Sequence, residues 1–140
     1  MVGFAKPEGT AMDLKEYFEN RKGFGVLSTA DGTGRVNSAV YSRPHAMDDG
    51  SLAFLMPDRL THFNLQSNPR AAYLFREEGP GYKGKRLHLT KIREETDPDL
   101  VHTLRRRHST PESQEKEGDR FVVFFRVDKV LPLIGPGEEG

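Results

Sequence analysis

The segment from Pro57 to Arg70 carries the side chains with the clearest chemical potential in this chain. It begins a predicted helix directly after a predicted strand, and the first backbone N–H groups of a helix have no partners within it and attract anions. Arg59, Thr61 and His62 would add a guanidinium, a hydroxyl and an imidazole there, which together could hold a phosphate monoester. The alternative is that Asp58 or Thr61 caps the helix while the basic side chains lie in solvent.

Composition restricts the other kinds of site. The 140 residues include no cysteine, which excludes disulfides and thiolate chemistry, and the five histidines lack metal-ligand spacing, so we expect no metal site. The 21 basic and 21 acidic residues balance, which argues against nucleic-acid binding by bulk charge. No apolar run approaches the ~20 residues that cross a bilayer, and the first residues lack a secretory signal. We therefore expect a cytoplasmic protein without membrane or nucleic-acid partners.

The elements that position these residues follow from hydrophobic periodicity and turn residues. Helices are predicted at Asp13–Asn20, at about Leu60–Ser67, and from Asp97-Pro98 onward. Six strands are predicted at Phe24–Thr29, Arg35–Ser42, Ser51–Met56, Arg70–Arg76, Lys85–Arg93 and Phe121–Val127. Short sequential strands with small helices between them indicate a mainly β, six-stranded antiparallel barrel. Residues 1–140 would form one domain, with a flexible N-terminal arm (1–12), a mobile polar stretch (111–119) and a flexible tail (135–140).

Apolar spacing also predicts which faces are buried. Leu14, Tyr17 and Phe18 share one face of the first helix, and the last helix has a buried stripe of Leu100, Val101 and Leu104. Residues Arg105 to Arg107 are expected in solvent at the end of that helix, where cations suit its dipole. The strand Phe121–Val127 is apolar on nearly both faces and should be covered on both sides.

One part of the sequence resembles a known family. Asn64-Leu65, followed by Asn68-Pro69-Arg70 and an Ala-Tyr-Leu-Phe strand, is similar to the core signature of the pyridoxamine 5′-phosphate oxidase-like FMN-binding split barrels. The resemblance covers roughly residues 23–130. It implies a split barrel that binds FMN at a homodimer interface.

The resemblance also implies which residues would bind the cofactor. The corresponding positions are Tyr41, Ser42, Arg43, Pro44, Leu55, Met56, Arg59, Leu60, Thr61 and His62, with the phosphate at Arg59–His62 and the isoalloxazine near Tyr41–Pro44 and Met56. Many members carry a lysine where this chain has Thr61, so Arg59, His62 or Arg43 would have to supply the charge.

A basic, glycine-flanked loop offers a further contact. Tyr82, Lys83 and Lys85 could close over a flavin or an acidic substrate from the partner subunit, and the alternative is a solvated hairpin tip.

The function implied by the resemblance is that of a small FMN-dependent oxidoreductase acting on a small molecule, with NADH or NADPH as candidate electron donor. The chain ends in LPLIGPGEEG and lacks the Arg- and His-rich C-terminal segment of true pyridoxamine 5′-phosphate oxidases, so we expect no vitamin B6 oxidation. No residue stands out as catalytic acid or base; His88 is a candidate only by its strand position.

Two other functions stay open. The same barrel could bind a deazaflavin, or haem through His45, His62 or His88 as axial ligand. It could also be a flavin carrier or sensor dimer without turnover.

Overall fold

The fold comes from a computed structural model that describes residues 7–107 and 118–136. Three helices and seven strands occur within these residues. In chain order they are α1 (Pro7–Asn20), β1 (Gly23–Ala30), β2 (Val36–Val40), β3 (His45–Ala46), β4 (Leu52–Pro57), α2 (Leu60–Ser67), β5 (Arg70–Glu77), β6 (Gly84–Glu95), α3 (Pro98–Arg107) and β7 (Asp119–Pro132).

The strands form one sheet in the order β2-β1-β5-β6-β7-β4-β3, and each neighbouring pair is antiparallel. This confirms the mainly β, antiparallel barrel class. The sequence predicted six strands, and the added one is β3, whose two residues are too few to show alternation. Strands β6 and β7 extend past their predicted ends because they pair with each other from Lys85 opposite Pro132 to Glu95 opposite Val122.

The interior of the barrel is aromatic. Tyr73 is fully buried, and its ring lies 5.0 Å from that of Phe54 and 6.3 Å from that of Phe18. The predicted face of α1 packs into this core, with Leu14 and Phe18 each 1% exposed. Edge-to-face aromatic pairs of this kind add to the free energy of burial and hold α1 against the sheet.

A second apolar cluster lies outside the barrel, under α3. Val101 and Leu104 pack on Val122 and Phe124 of β7, while Val123 and Phe125 of the same strand face the barrel interior. The prediction that this strand is covered on both faces is confirmed. The packing places the last turn of α3 close to the start of β7, where Arg105 lies 3.9 Å from Asp119.

Some predicted boundaries were wrong or lie outside the described residues. Helix α1 begins at Pro7 and not at Asp13, so part of the expected N-terminal arm is helical. Asp119, placed in a polar loop by the sequence, begins β7. The expected mobility of residues 1–6, 111–117 and 137–140 falls outside the part of the chain that the structure describes.

Candidate functional site

A cavity of about 790 Å³ opens where β2, β4, the start of α2, the end of α3 and the start of β7 meet. Its size lies within the range of ~300–1,000 Å³ that is typical of small-molecule sites. Most of the cofactor-binding residues that the resemblance implies line it: Tyr41, Ser42, Arg43, Leu55, Arg59, Leu60 and Thr61. Residues from β2, β4 and α2, distant in sequence, are thus brought to one place by the sheet order.

The start of α2 presents free backbone donors to this cavity. Arg59 is the N-cap residue, in an extended conformation, and no side-chain hydrogen bond caps the helix. The first helical bond runs from the Phe63 N–H to the Arg59 carbonyl, so the N–H groups of Leu60, Thr61 and His62 have no partner within the helix. The side-chain cap that the sequence left as an alternative does not form. This end of the helix can therefore accept an anion.

The neighbouring carboxylate does not compete for this position. Asp58 is exposed, is absent from the cavity lining, and lies 3.9 Å from the guanidinium of Arg120. Such an exposed pair contributes little stability. What matters here is where the negative charge of Asp58 lies, which is beside Arg120 on β7 and outside the cavity lining.

Tyr41 forms part of the cavity wall, and two hydrogen bonds to its backbone hold it in place. The Tyr73 hydroxyl donates to the Tyr41 carbonyl at 3.0 Å, and the Tyr41 N–H donates to the Gly25 carbonyl at 3.0 Å. Burial raises the pKa of the Tyr41 phenol, and its hydrogen bond with the Thr61 hydroxyl partly offsets that rise. Tyr41 thereby links the wall of the cavity to the start of α2.

Arg43 lines the cavity but also serves the fold. Its Nη1 donates to the carbonyls of Phe18 and Arg21, at 2.7 Å each. These bonds satisfy acceptors at and just after the end of α1 and fix the segment after β2. Arg59 is the more available cation at the α2 start.

Three residues of the implied set are not in the cavity lining. Met56 is fully buried in the barrel core, on the opposite side of β4 from Leu55, because successive strand residues face opposite ways. Pro44 is buried. His62 is 8% exposed, and its ring stacks on that of Phe121 with centroids 3.6 Å apart.

His62 belongs to a polar cluster on the other side of α2. Its Nε2 lies 3.0 Å from Oε2 of Glu94, and the other carboxylate oxygen, Oε1, accepts hydrogen bonds from Lys91 and Gln66. Burial acts to raise the pKa of Glu94, but the hydrogen bonds from Lys91, His62 and Gln66 outweigh it and lower that pKa from 4.5 to about 2.

This cluster predicts a specific acid response. Because the folded pKa of Glu94 is lowered, its stabilising contribution is present above pH 4.5 and is lost as the pH falls toward about 2. We expect Glu94→Gln to flatten the dependence of the urea midpoint on pH between these values. The matched control is Glu78→Gln, at an exposed carboxylate. Equal slopes for Glu94→Gln and the unaltered protein would contradict the assignment.

The glycine-flanked loop makes contacts within its own chain. Tyr82 is 71% exposed, and the Arg76 guanidinium lies 5.6 Å from its ring centroid. The Lys85 ammonium lies 4.7 Å from the Tyr17 ring. Tyr82, Lys83 and Lys85 do not line the cavity of the same chain. A role in a partner's site stays a prediction.

Two charged residues of the cavity, Arg105 and Asp119, were not predicted from the sequence. Arg105, expected in solvent, is only 24% exposed at its side chain and lines the cavity with Asp119. The spacing along α3 could have predicted the burial of Arg105, because it follows the buried Val101 by four residues and shares that face of the helix. His45 also lines the cavity, whereas His88 is exposed on β6.

Among the helices within the described residues, none has the length and apolarity needed to span a bilayer.

Comparisons with known proteins find similarity in structure and not in sequence. No protein-family model matches the chain, and no curated protein matches it. An FMN-binding protein from Syntrophomonas wolfei superposes with a TM-score of 0.71 at 19% identity, covering 92% of each chain. An F420 reductase superposes with a TM-score of 0.66 at 19% identity, covering 82% of this chain and 94% of the other. A Lactobacillus delbrueckii structure named for pyridoxamine 5′-phosphate oxidase superposes with a TM-score of 0.60 at 17% identity, covering 85% of this chain and 90% of the other.

These likenesses cover 82–92% of this chain and agree with the resemblance found in the sequence. The chain has the fold of the pyridoxamine 5′-phosphate oxidase-like, FMN-binding split barrels.

Proposed function

We propose that this protein binds FMN in the cavity and acts as a small FMN-dependent oxidoreductase. The observation that carries the proposal is that the uncapped start of α2 lies at a cavity of about 790 Å³ lined by Tyr41, Arg59 and Thr61. A free helix N-terminus, a guanidinium and a hydroxyl are together suited to a phosphate monoester.

The residues present fit the phosphate end of FMN. The backbone N–H groups of Leu60 and Thr61 and the Thr61 hydroxyl would donate hydrogen bonds, and Arg59 would supply positive charge. Arg59 thus replaces the lysine that many similar proteins carry at the position of Thr61. Asp58 lies outside the cavity lining, 3.9 Å from Arg120.

The rest of the lining fits an aromatic ring system. Tyr41, Phe54 and Leu55 provide apolar wall, and the Tyr41 and Phe54 rings already meet edge to face at 6.2 Å. When bound, FMN would supply the electron or hydride chemistry. The chain's own residues would hold the phosphate, orient the ring against β2 and β4, and keep water from one side of it.

The proposal is tested by the absorption spectrum of the purified, untagged protein and by titration with FMN, FAD and haem. We expect a flavin spectrum that follows the protein, with FMN bound more tightly than FAD because the terminal phosphate is recognised. Consumption of NADH or NADPH by the FMN-loaded protein would support a reductase. Binding without turnover would support a carrier or sensor, and a colourless protein that binds none of the three would overturn the proposal.

Haem is the second candidate, and one observation favours it. His45 is 5% exposed and lines the cavity, where an imidazole could serve as axial ligand. A Soret band that disappears in His45→Ala but persists in Arg59→Glu would move the assignment from FMN to haem.

We also propose that the protein is a homodimer. The outer face of β2, β1 and β5 carries a row of apolar side chains that remain at least partly exposed: Val40 is opposite Val26, which is opposite Leu74. Val40 is 67% exposed and Leu74 41%, and the cavity rim continues this surface through Leu60 at 51%. A contiguous apolar face beside a ligand cavity is typical of an interface, and a second copy would cover both.

Leu74→Glu tests the dimer without altering the cavity lining. A carboxylate buried in an apolar interface is costly, and Arg86 opposite it on β6 already donates to the Pro132 carbonyl. We therefore expect the dimer dissociation constant to rise at least about 100-fold. Analytical ultracentrifugation measures it, with Ile92→Glu, at an exposed isoleucine of β6, as control. If the partner completes the site, FMN affinity falls with dissociation. An unaltered dimer would place the interface elsewhere.

A further inference from the structure

The cavity has a second charged position, on elements that do not take part in the phosphate site. Arg105 lies in the last turn of α3 and Asp119 is the first residue of β7, and both line the cavity. We refer to these two residues as the Arg105–Asp119 pair. The proposed contacts of FMN with β2, β4 and α2 leave the pair unused.

The pair is open. Arg105 Nη2 lies 3.9 Å from Asp119 Oδ2, which is beyond hydrogen-bond distance. The Arg105 Nε is buried and has no hydrogen-bond partner among the described residues. Nε and Nη2 point to the same side of a guanidinium, so together they form a fork suited to a carboxylate. No described residue fills that fork.

Both side chains of the pair are largely buried. The side chains are 24% and 29% exposed, and α3 is anchored just before Arg105 by Leu104, which packs on β7. Burial raises the pKa of Asp119, and the nearby Arg105 opposes this. Buried polar groups in folded proteins are normally hydrogen-bonded, and those without a partner commonly mark a ligand or functional site. The pair therefore has the features of a subsite that awaits a polar ligand.

The charge balance identifies which ligand fits. A phosphate dianion would be attracted by one guanidinium but repelled by the adjacent Asp119 carboxylate. A monoanionic carboxylate can occupy the Arg105 fork if a neighbouring group on the same molecule donates a hydrogen bond to Asp119. A hydroxyl on the adjacent carbon meets that requirement.

We propose that the Arg105–Asp119 pair is the substrate subsite of the cavity and takes a small 2-hydroxy carboxylate, with the carboxylate on Arg105 and the hydroxyl on Asp119. This rests on the proposed function for its role in turnover, since it would place a reducing substrate in the same cavity as FMN. Binding to the pair does not itself require the cofactor.

The test is calorimetric titration of the FMN-loaded protein with lactate, propionate and lactamide. These probes share a carbon skeleton, and propionate lacks the hydroxyl while lactamide lacks the charge. We expect lactate to bind at least about 10-fold more tightly than lactamide. Arg105→Met should remove this preference, and Asp119→Asn should reduce the preference for lactate over propionate. Arg105→Lys, which keeps the charge but not the fork, should recover only part of the affinity.

Two readouts separate this proposal from the assignment of FMN. Arg105→Met should weaken FMN binding far less than Arg59→Glu does, because the hydrogen bonds to the phosphate come from residues at the start of α2. The apo protein should still bind lactate through Arg105 even if no flavin binds. That result would support the subsite and contradict only the assignment of FMN. Equal lactate affinity in Arg105→Met and the unaltered protein, or a loss of FMN in that variant, would overturn the subsite.

Discussion

Arg59→Glu is expected to weaken FMN binding by at least about 100-fold. Arg59 is exposed at the start of α2, so the substitution should not disturb the core. A hydrogen bond to a charged group contributes about 1.5–3 kcal/mol, and replacing the cation with an anion adds repulsion of the phosphate. Fluorescence titration of the apo protein with FMN measures the effect.

Two further variants make this result specific. Arg35→Glu reverses the charge of another exposed arginine, outside the cavity lining, and should leave FMN affinity unchanged. Thr61→Val keeps the shape of a side chain that is 3% exposed and should weaken FMN about 10-fold through loss of its hydroxyl. If Arg59→Glu binds FMN as well as Arg35→Glu does, the phosphate does not lie at the start of α2.

Gly25→Ala is expected to destabilise the protein by about 3 kcal/mol or more, at the upper end of what overpacking costs. A Cβ at this position would lie 2.0 Å from the Tyr73 hydroxyl and 2.7 Å from the Tyr41 carbonyl. These are the two groups whose hydrogen bond holds Tyr41 in the cavity wall. We therefore expect a lower urea midpoint and weaker FMN binding, although Gly25 is not in the cavity lining.

Gly32→Ala is the matched control. Gly32 lies in the turn between β1 and β2, and the nearest atom to an added Cβ would be 3.6 Å away, an ordinary contact. We expect a change within about 0.5 kcal/mol, as for surface substitutions in general. Tyr73→Phe separates the steric effect at Gly25 from loss of the hydrogen bond alone, and should cost about 1 kcal/mol. Similar unfolding free energies for Gly25→Ala and Gly32→Ala would contradict the close packing described around Tyr73.

Local patterns predicted the elements well because each is stabilised by a periodic apolar face. Helix α2 has the predicted bounds, and the predicted faces of α1 and α3 are buried. The turn after β1 also follows from its residues: the Asp31 carboxylate accepts three hydrogen bonds from Thr33 and Arg35, and Gly34 has a φ of 94°. Failures occurred where such a pattern is missing, as in the two-residue β3 and the polar end of β7.

By itself, the sequence determined the fold class and the anion-binding potential of the α2 start, because alternation, helical spacing and turn chemistry are local properties. Only the tertiary structure decided which charges face the cavity. It turned Asp58 toward Arg120, stacked His62 on Phe121 next to Glu94, and brought Arg105 beside Asp119. The physical reason is that a side chain's partner comes from whichever strand or helix packs beside it. In an antiparallel barrel, that neighbour is often dozens of residues away along the chain.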